Sequence, residues 1–61
     1  MRIPIDRQSA TPIYLQIEIW LRQNITSGSL PPETRLPATR QLADELGVSR
    51  ITVKNAYAKL E

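Results

Sequence analysis

Apolar residues recur along the chain in three stretches with helical spacing, set apart by glycine and proline. In the first, Ile13, Ile17, Trp20, Leu21 and Ile25 fall on one side of a 3.6-residue repeat and predict a wide apolar face. Thr11-Pro12 marks its start, with Thr11 as the cap and proline at the first helical position. Gly28 marks its end, and Pro31-Pro32 keep the helix from resuming. Glu18 and Arg22 are spaced as an i,i+4 pair and expected on the side away from the apolar face. Leu15 and Ile19 also point away from it. They are either isolated exposed apolar side chains, which are common, or a second contact surface.

The next two stretches lie much closer together. A second helix is expected from about Ala38 to Leu46, with Leu42, Ala43 and Leu46 inward and Leu36 anchoring the connection before it. Gly47 follows at the position where a left-handed backbone costs glycine little. Ser49 is a natural N-cap for a third helix over about 49–60, and Val48 and Val53 are placed as a hydrophobic staple across it. Val53, Ala56, Tyr57 and Leu60 then form the inward face. Two helices joined by a short turn containing glycine, with small Ala43 at the crossing, read as a helix-turn-helix rather than a plain helical hairpin. Residues 1–10 are expected to form an extended arm, so 1–61 reads as a single domain.

Composition narrows the chemistry. A 61-residue chain without cysteine or histidine has no thiolate, no disulfide and no imidazole base or ligand. Two glycines cannot build a phosphate loop, and the carboxylates are scattered. An enzyme and a metal site are therefore not expected. Neither a membrane span nor the apolar core of a signal peptide is present in the sequence, so a cytoplasmic, non-membrane protein is expected. The net charge of +2 is unevenly placed: residues 35–60 carry Arg35, Arg40, Arg50, Lys54 and Lys59 against Asp44 and Glu45. Such asymmetry suits a polyanionic partner.

With its apolar face inward, the third helix presents Ile51, Thr52, Lys54, Asn55, Ala58 and Lys59 outward, with Arg50 in its first turn. Recognition helices meet base edges in the DNA major groove with these positions. Arginine can bond both guanine acceptors, threonine and asparagine reach base edges or phosphates, and lysine meets phosphate oxygens. Ile51 would suit a thymine methyl, Ser49 with the first backbone N–H groups a phosphate, and Arg35 a phosphate. Arg40, entering the second helix, is also expected at the DNA. The plainer readings are that Arg40 pairs with Asp44, Arg50 packs locally, and Lys54 and Lys59 form a solvated face.

The segment "LPATRQLADELGVSRITVKNAYAKL", Leu36 to Leu60, resembles the DNA-binding signature of the GntR family of bacterial transcription regulators. The preceding "IPIDRQSATPIYLQIEIWLRQNITSGSLPPETR" is similar to the start of its MocR branch, with the YtrA branch close behind. The resemblance implies an all-α stretch here: the three-helix core of a winged-helix domain, lacking its β-wing. It implies DNA contacts from Arg40, Ser49, Arg50, Thr52 and Lys54, with Arg50 the chief base reader. It also implies a homodimer on a roughly palindromic double-stranded operator, usually as a repressor tuned by a metabolite.

Three departures from the family pattern stand out. The sequence stops at Leu60-Glu61, where the family continues into the wing and an effector domain. A strand near Arg35-Leu36 is thus expected to lack its partner, and the chain to be part of a longer regulator. No cofactor is expected within these residues; a MocR-like pyridoxal phosphate would belong to a following domain. Glu33 stands where glycine is frequent, and Ala38 where serine often caps the second helix. The rival reading is a winged-helix protein-interaction module working through an exposed Leu15/Ile19 face.

Overall fold

The computed structural model describes residues 1–31 and 33–61, so the part of the Pro31-Pro32 stop that rests on Pro32 lies outside the described residues. Three helices form: α1 (Ile13–Ser27), α2 (Thr39–Leu46) and α3 (Arg50–Leu60). No strand occurs among the described residues. α3 packs against both α1 and α2 and is the joint between them.

The core follows from the three inward faces. Ile17 and Leu21 of α1, Leu42 and Ala43 of α2, and Val53 and Ala56 of α3 are buried together. Burying an aliphatic side chain of this size contributes roughly 1.5–3 kcal/mol. Leu36, Leu46, Val48, Tyr57 and Leu60 are half-buried and pack around that cluster. Leu36 is thus the inward anchor that its position in the connection suggested.

α1 differs from its expected outline. Pro12, not Thr11, stands at the N-cap, and no side chain caps the helix. The Pro12 carbonyl accepts from the N–H groups of Leu15 and Gln16 at 3.0 and 3.1 Å. Proline can take this place because an N-cap needs to offer only its carbonyl. Ile13 and Trp20 are only half-buried, and Ile25 lies outside the core cluster. Leu15 is half-buried rather than exposed, whereas Ile19 is exposed.

The largest correction concerns Glu18, which is buried instead of facing solvent. Its carboxylate accepts from the Arg22 guanidinium, which also donates to the Lys59 carbonyl at 3.2 Å. The pair is therefore part of the α1–α3 contact. A buried carboxylate requires such a partner to offset its lost hydration.

The turn between α2 and α3 matches its sequence signals. Gly47 has φ 68° and ψ 36°, a left-handed conformation, and the Val48 N–H donates to the Ala43 carbonyl at 3.0 Å. Ser49 caps α3 by accepting from the Thr52 N–H at 3.2 Å. Ala38 caps α2 without a side-chain bond, so the start of that helix rests on its backbone and packing. The Tyr57 hydroxyl donates to the Pro37 carbonyl at 2.7 Å and ties the connection to α3.

Residues 1–12 contain neither helix nor strand, yet they are held. Ile3 enters the core at 5% exposure. The Gln16 amide receives the Asp6 N–H at 2.8 Å and donates to the Asp6 and Thr11 carbonyls at 2.9 and 2.8 Å.

Two stability measurements check this account. A Cβ at Gly47 would make only ordinary contact with Arg7, so Gly47→Ala tests the left-handed backbone itself. Chemical denaturation should show a loss of about 1–2 kcal/mol; an unchanged midpoint would mean that the turn relaxes. Tyr57→Phe should cost about 1 kcal/mol at neutral pH. Burial, and secondarily the Glu45 charge, raise the Tyr57 phenol above its usual value. Its contribution is thus complete below the unfolded value of about 10 and is lost as pH rises through the higher folded value. The stability gap between wild type and Tyr57→Phe should close in strongly alkaline buffer; a gap independent of pH would contradict it.

Candidate nucleic-acid interface

The packing of α3 decides what it shows outward. With Val53 and Ala56 buried, Arg50, Ile51, Lys54, Asn55, Ala58 and Lys59 are exposed. Ile51 is 57% exposed, and of the described residues only it and Ile19 are large hydrophobics left open to this degree. Thr52, expected outward, is half-buried at the edge of that face.

Ser49 and Thr52 share a hydrogen bond between hydroxyls of 2.8 Å, while the Ser49 oxygen also accepts the Thr52 N–H. Each hydroxyl has one proton to give. Whichever of the two donates across the pair, the other keeps its proton for an outside acceptor. One free O–H therefore stands at the start of α3, beside the first-turn N–H groups that an N-terminus leaves without helical partners. These are donors of the kind that a phosphate oxygen accepts from.

Charge sharpens this. Arg50 is the first residue of α3, and no acidic residue lies in that turn. The N-terminal end of a helix carries partial positive charge, so an arginine there is locally unfavourable and an anion favourable. Nothing among the described residues offsets it: the ion pairs present are Met1–Glu45 and Arg22–Glu18. Arg40, exposed in the first turn of α2, makes no bridge to Asp44, and Arg35 is exposed in the connection. Lys54 and Lys59 are likewise without an acidic partner among the described residues.

The arrangement brings Ser49, Arg50, Ile51, Thr52 and Lys54 together on the first turn and a half of α3. Arg40 lies on α2 and Arg35 in the connection before it, both exposed. One contributor was not foreseen: Arg7 of the arm donates to the carbonyls of Leu46 and Gly47, both at 3.2 Å. No local pattern marks a contact made across 39 and 40 residues.

Lys54 and Lys59 both stand exposed on the helix, so neither fits the enclosed amine that a pyridoxal phosphate site requires. No group of three metal-ligating side chains assembles among the described residues. No helix of the described residues is long and apolar enough to cross a membrane.

Comparison with known proteins agrees with the sequence resemblance. Residues 13–61 match the family described as bacterial regulatory proteins, gntR family. The chain is 43% identical over 56 residues to the HTH-type transcriptional repressor NagR of Bacillus subtilis, covering 92% of this chain and 23% of NagR. It is 45% identical over 56 residues to the probable rhizopine catabolism regulatory protein MocR of Rhizobium meliloti, covering 92% of this chain and 11% of MocR. The structure of YtrA from Sulfolobus acidocaldarius, a GntR-family transcription factor, superposes with a TM-score of 0.91 at 46% identity. That likeness covers 95% of this chain and 62% of the YtrA chain. The chain thus spans from about a tenth to under two thirds of these relatives' lengths. With its three helices, its glycine turn and 49 consecutive residues under the family pattern, this chain belongs to the gntR family of bacterial regulatory proteins and forms its helix-turn-helix DNA-binding part.

Proposed function

We propose that the chain reads a specific sequence in double-stranded DNA by laying α3 in the major groove. The observation that carries this reading is the outer face of α3. It is basic, exposed and free of acidic partners among the described residues, and Arg50 stands at the helix end where positive charge is already concentrated. Arg50 is the base reader, able to fork onto a guanine. Ile51 meets a thymine methyl. The Ser49–Thr52 hydroxyl pair and the first-turn N–H groups hold one phosphate, and Lys54 and Arg40 hold others, with Arg35 at the margin.

Residues 1–61 act as one reader module of a longer regulator, used in pairs on a two-fold operator. The naming of NagR as a repressor supports repression as the outcome. A protein-docking role through α1 has one observation in its favour, the 43% exposure of Ile19. It would leave Arg50 and Lys54 dispensable.

Fluorescence anisotropy with an operator selected from a random duplex pool tests the reading across a salt series. Arg50→Ala should weaken specific binding by about 1–3 kcal/mol and relax base preference at one position. Lys54→Ala should weaken binding to all sequences alike and lower the salt slope by about one unit. Folded wild-type protein that binds no duplex at low salt would refute the proposal.

A further inference from the structure

The last turn of α2 carries Asp44 and Glu45 and no basic residue. This is the negative end of the helix, where acidic side chains are unfavourable and cations are needed. The missing positive charge comes from the N-terminal arm. The Met1 ammonium pairs with Glu45 at 3.0 Å, and the Arg7 guanidinium spans the carbonyls of Leu46 and Gly47 at 3.2 Å each. Those two carbonyls belong to the peptide planes on either side of the Gly47 α-carbon. The direction in which the chain leaves α2 for α3 is set at that residue.

The arm is built to hold Arg7 in place. The Asp6 carboxylate accepts the Gln8 N–H at 3.0 Å, and the Asp6 carbonyl accepts the Ser9 N–H at 3.3 Å, which closes a turn around Arg7. Gln16 of α1 grips Asp6 from both sides through its amide. Ile3 anchors the chain upstream in the core. A continuous set of bonds thus runs from α1 through Asp6 and Arg7 to the turn that aims α3.

We infer that Arg7 is a positioning residue for DNA recognition: it latches the helix-turn-helix turn through two backbone carbonyls and so fixes the angle of α3, without itself holding DNA. This rests on the DNA-binding reading above. Both bonds leave one guanidinium nitrogen, Nη2, whose two N–H groups are held in a rigid plane, whereas an ammonium is a point charge on a flexible stem. Arg7→Lys is therefore the informative variant, since it keeps the charge and removes the planar guanidinium that aims both N–H groups at the turn.

The test compares wild type, Arg7→Ala, Arg7→Lys and Arg50→Ala. Operator affinity is measured over a salt series, and amide hydrogen exchange of residues 47–49 is measured on the DNA-free protein. Circular dichroism first identifies a temperature at which all four are folded. Both Arg7 variants are expected to bind about tenfold more weakly with the wild-type salt slope, and to exchange these amides faster. A salt slope lower by about one unit in Arg7→Ala, with affinity restored by lysine, would make Arg7 a phosphate contact and overturn the inference. Unchanged affinity in both variants would overturn it too. Wild type inert toward DNA defeats the DNA reading itself. In that event the exchange rates still decide whether Arg7 latches the turn, and unaltered rates would dismiss the latch.

Discussion

Val53 and Ala56 are fully buried in a helix that packs against both of the others, and this packing fixes the rotation of α3 about its own axis. At about 100° per residue, a helix whose Val53 and Ala56 point inward must carry Ile51, Lys54 and Ala58 on its other sides. Core and interface are consequently one decision. The small side chains Ala43 and Ala56 have the same effect on distance, since they are buried where a larger residue would hold the helices apart. A 61-residue chain has too little interior to separate these tasks, and it places both on an 11-residue helix.

Two helix ends in this fold carry charges of the wrong sign for their dipoles, and they are treated differently. The acidic end of α2 is answered within the chain by Arg7 and the Met1 ammonium. The basic start of α3 is answered by nothing among the described residues. A mismatch that the fold corrects belongs to the scaffold. One left open at an exposed helix start makes an anion favourable there, the kind of departure from local preference expected at functional sites. The two carboxylates used in ion pairs, Glu18 and Glu45, both serve the scaffold, which leaves the basic side chains of the outer face without competition.

The helices, the Gly47 turn and the Ser49 cap were legible in the sequence because each depends on residues within one or two turns of one another. The residues on the exposed face of α3 were legible for the same reason: they alternate with the buried face of a single helix. Other features were not. Glu18 looks solvent-facing on a helical wheel, but Arg22 carries it into a contact with Lys59, 37 residues away. The latch by Arg7 spans a similar separation, and the arm that bears it has no periodic pattern to read. Thr11 looked like a cap, yet Gln16 takes its carbonyl and Pro12 supplies the helix start instead. The first two are tertiary contacts that no local pattern marks; the third is a competition within one helix turn, which the Pro12 carbonyl wins.

The two exposed isoleucines distinguish the competing uses of this surface. A stable protein-docking site needs a contiguous apolar patch, larger than one side chain. Ile19 does not supply it, because Leu15 one turn away is half-buried. Ile51, at 57% exposure, is more open still, and its neighbours along the outer face are Arg50, Lys54 and Asn55. A lone apolar group among cations and amides is a poor nucleus for protein association. It is well suited to a groove whose walls are phosphates and whose floor holds thymine methyl groups among polar base edges. Burying Ile51 against such a partner would recover the hydration cost of its exposure in the free chain.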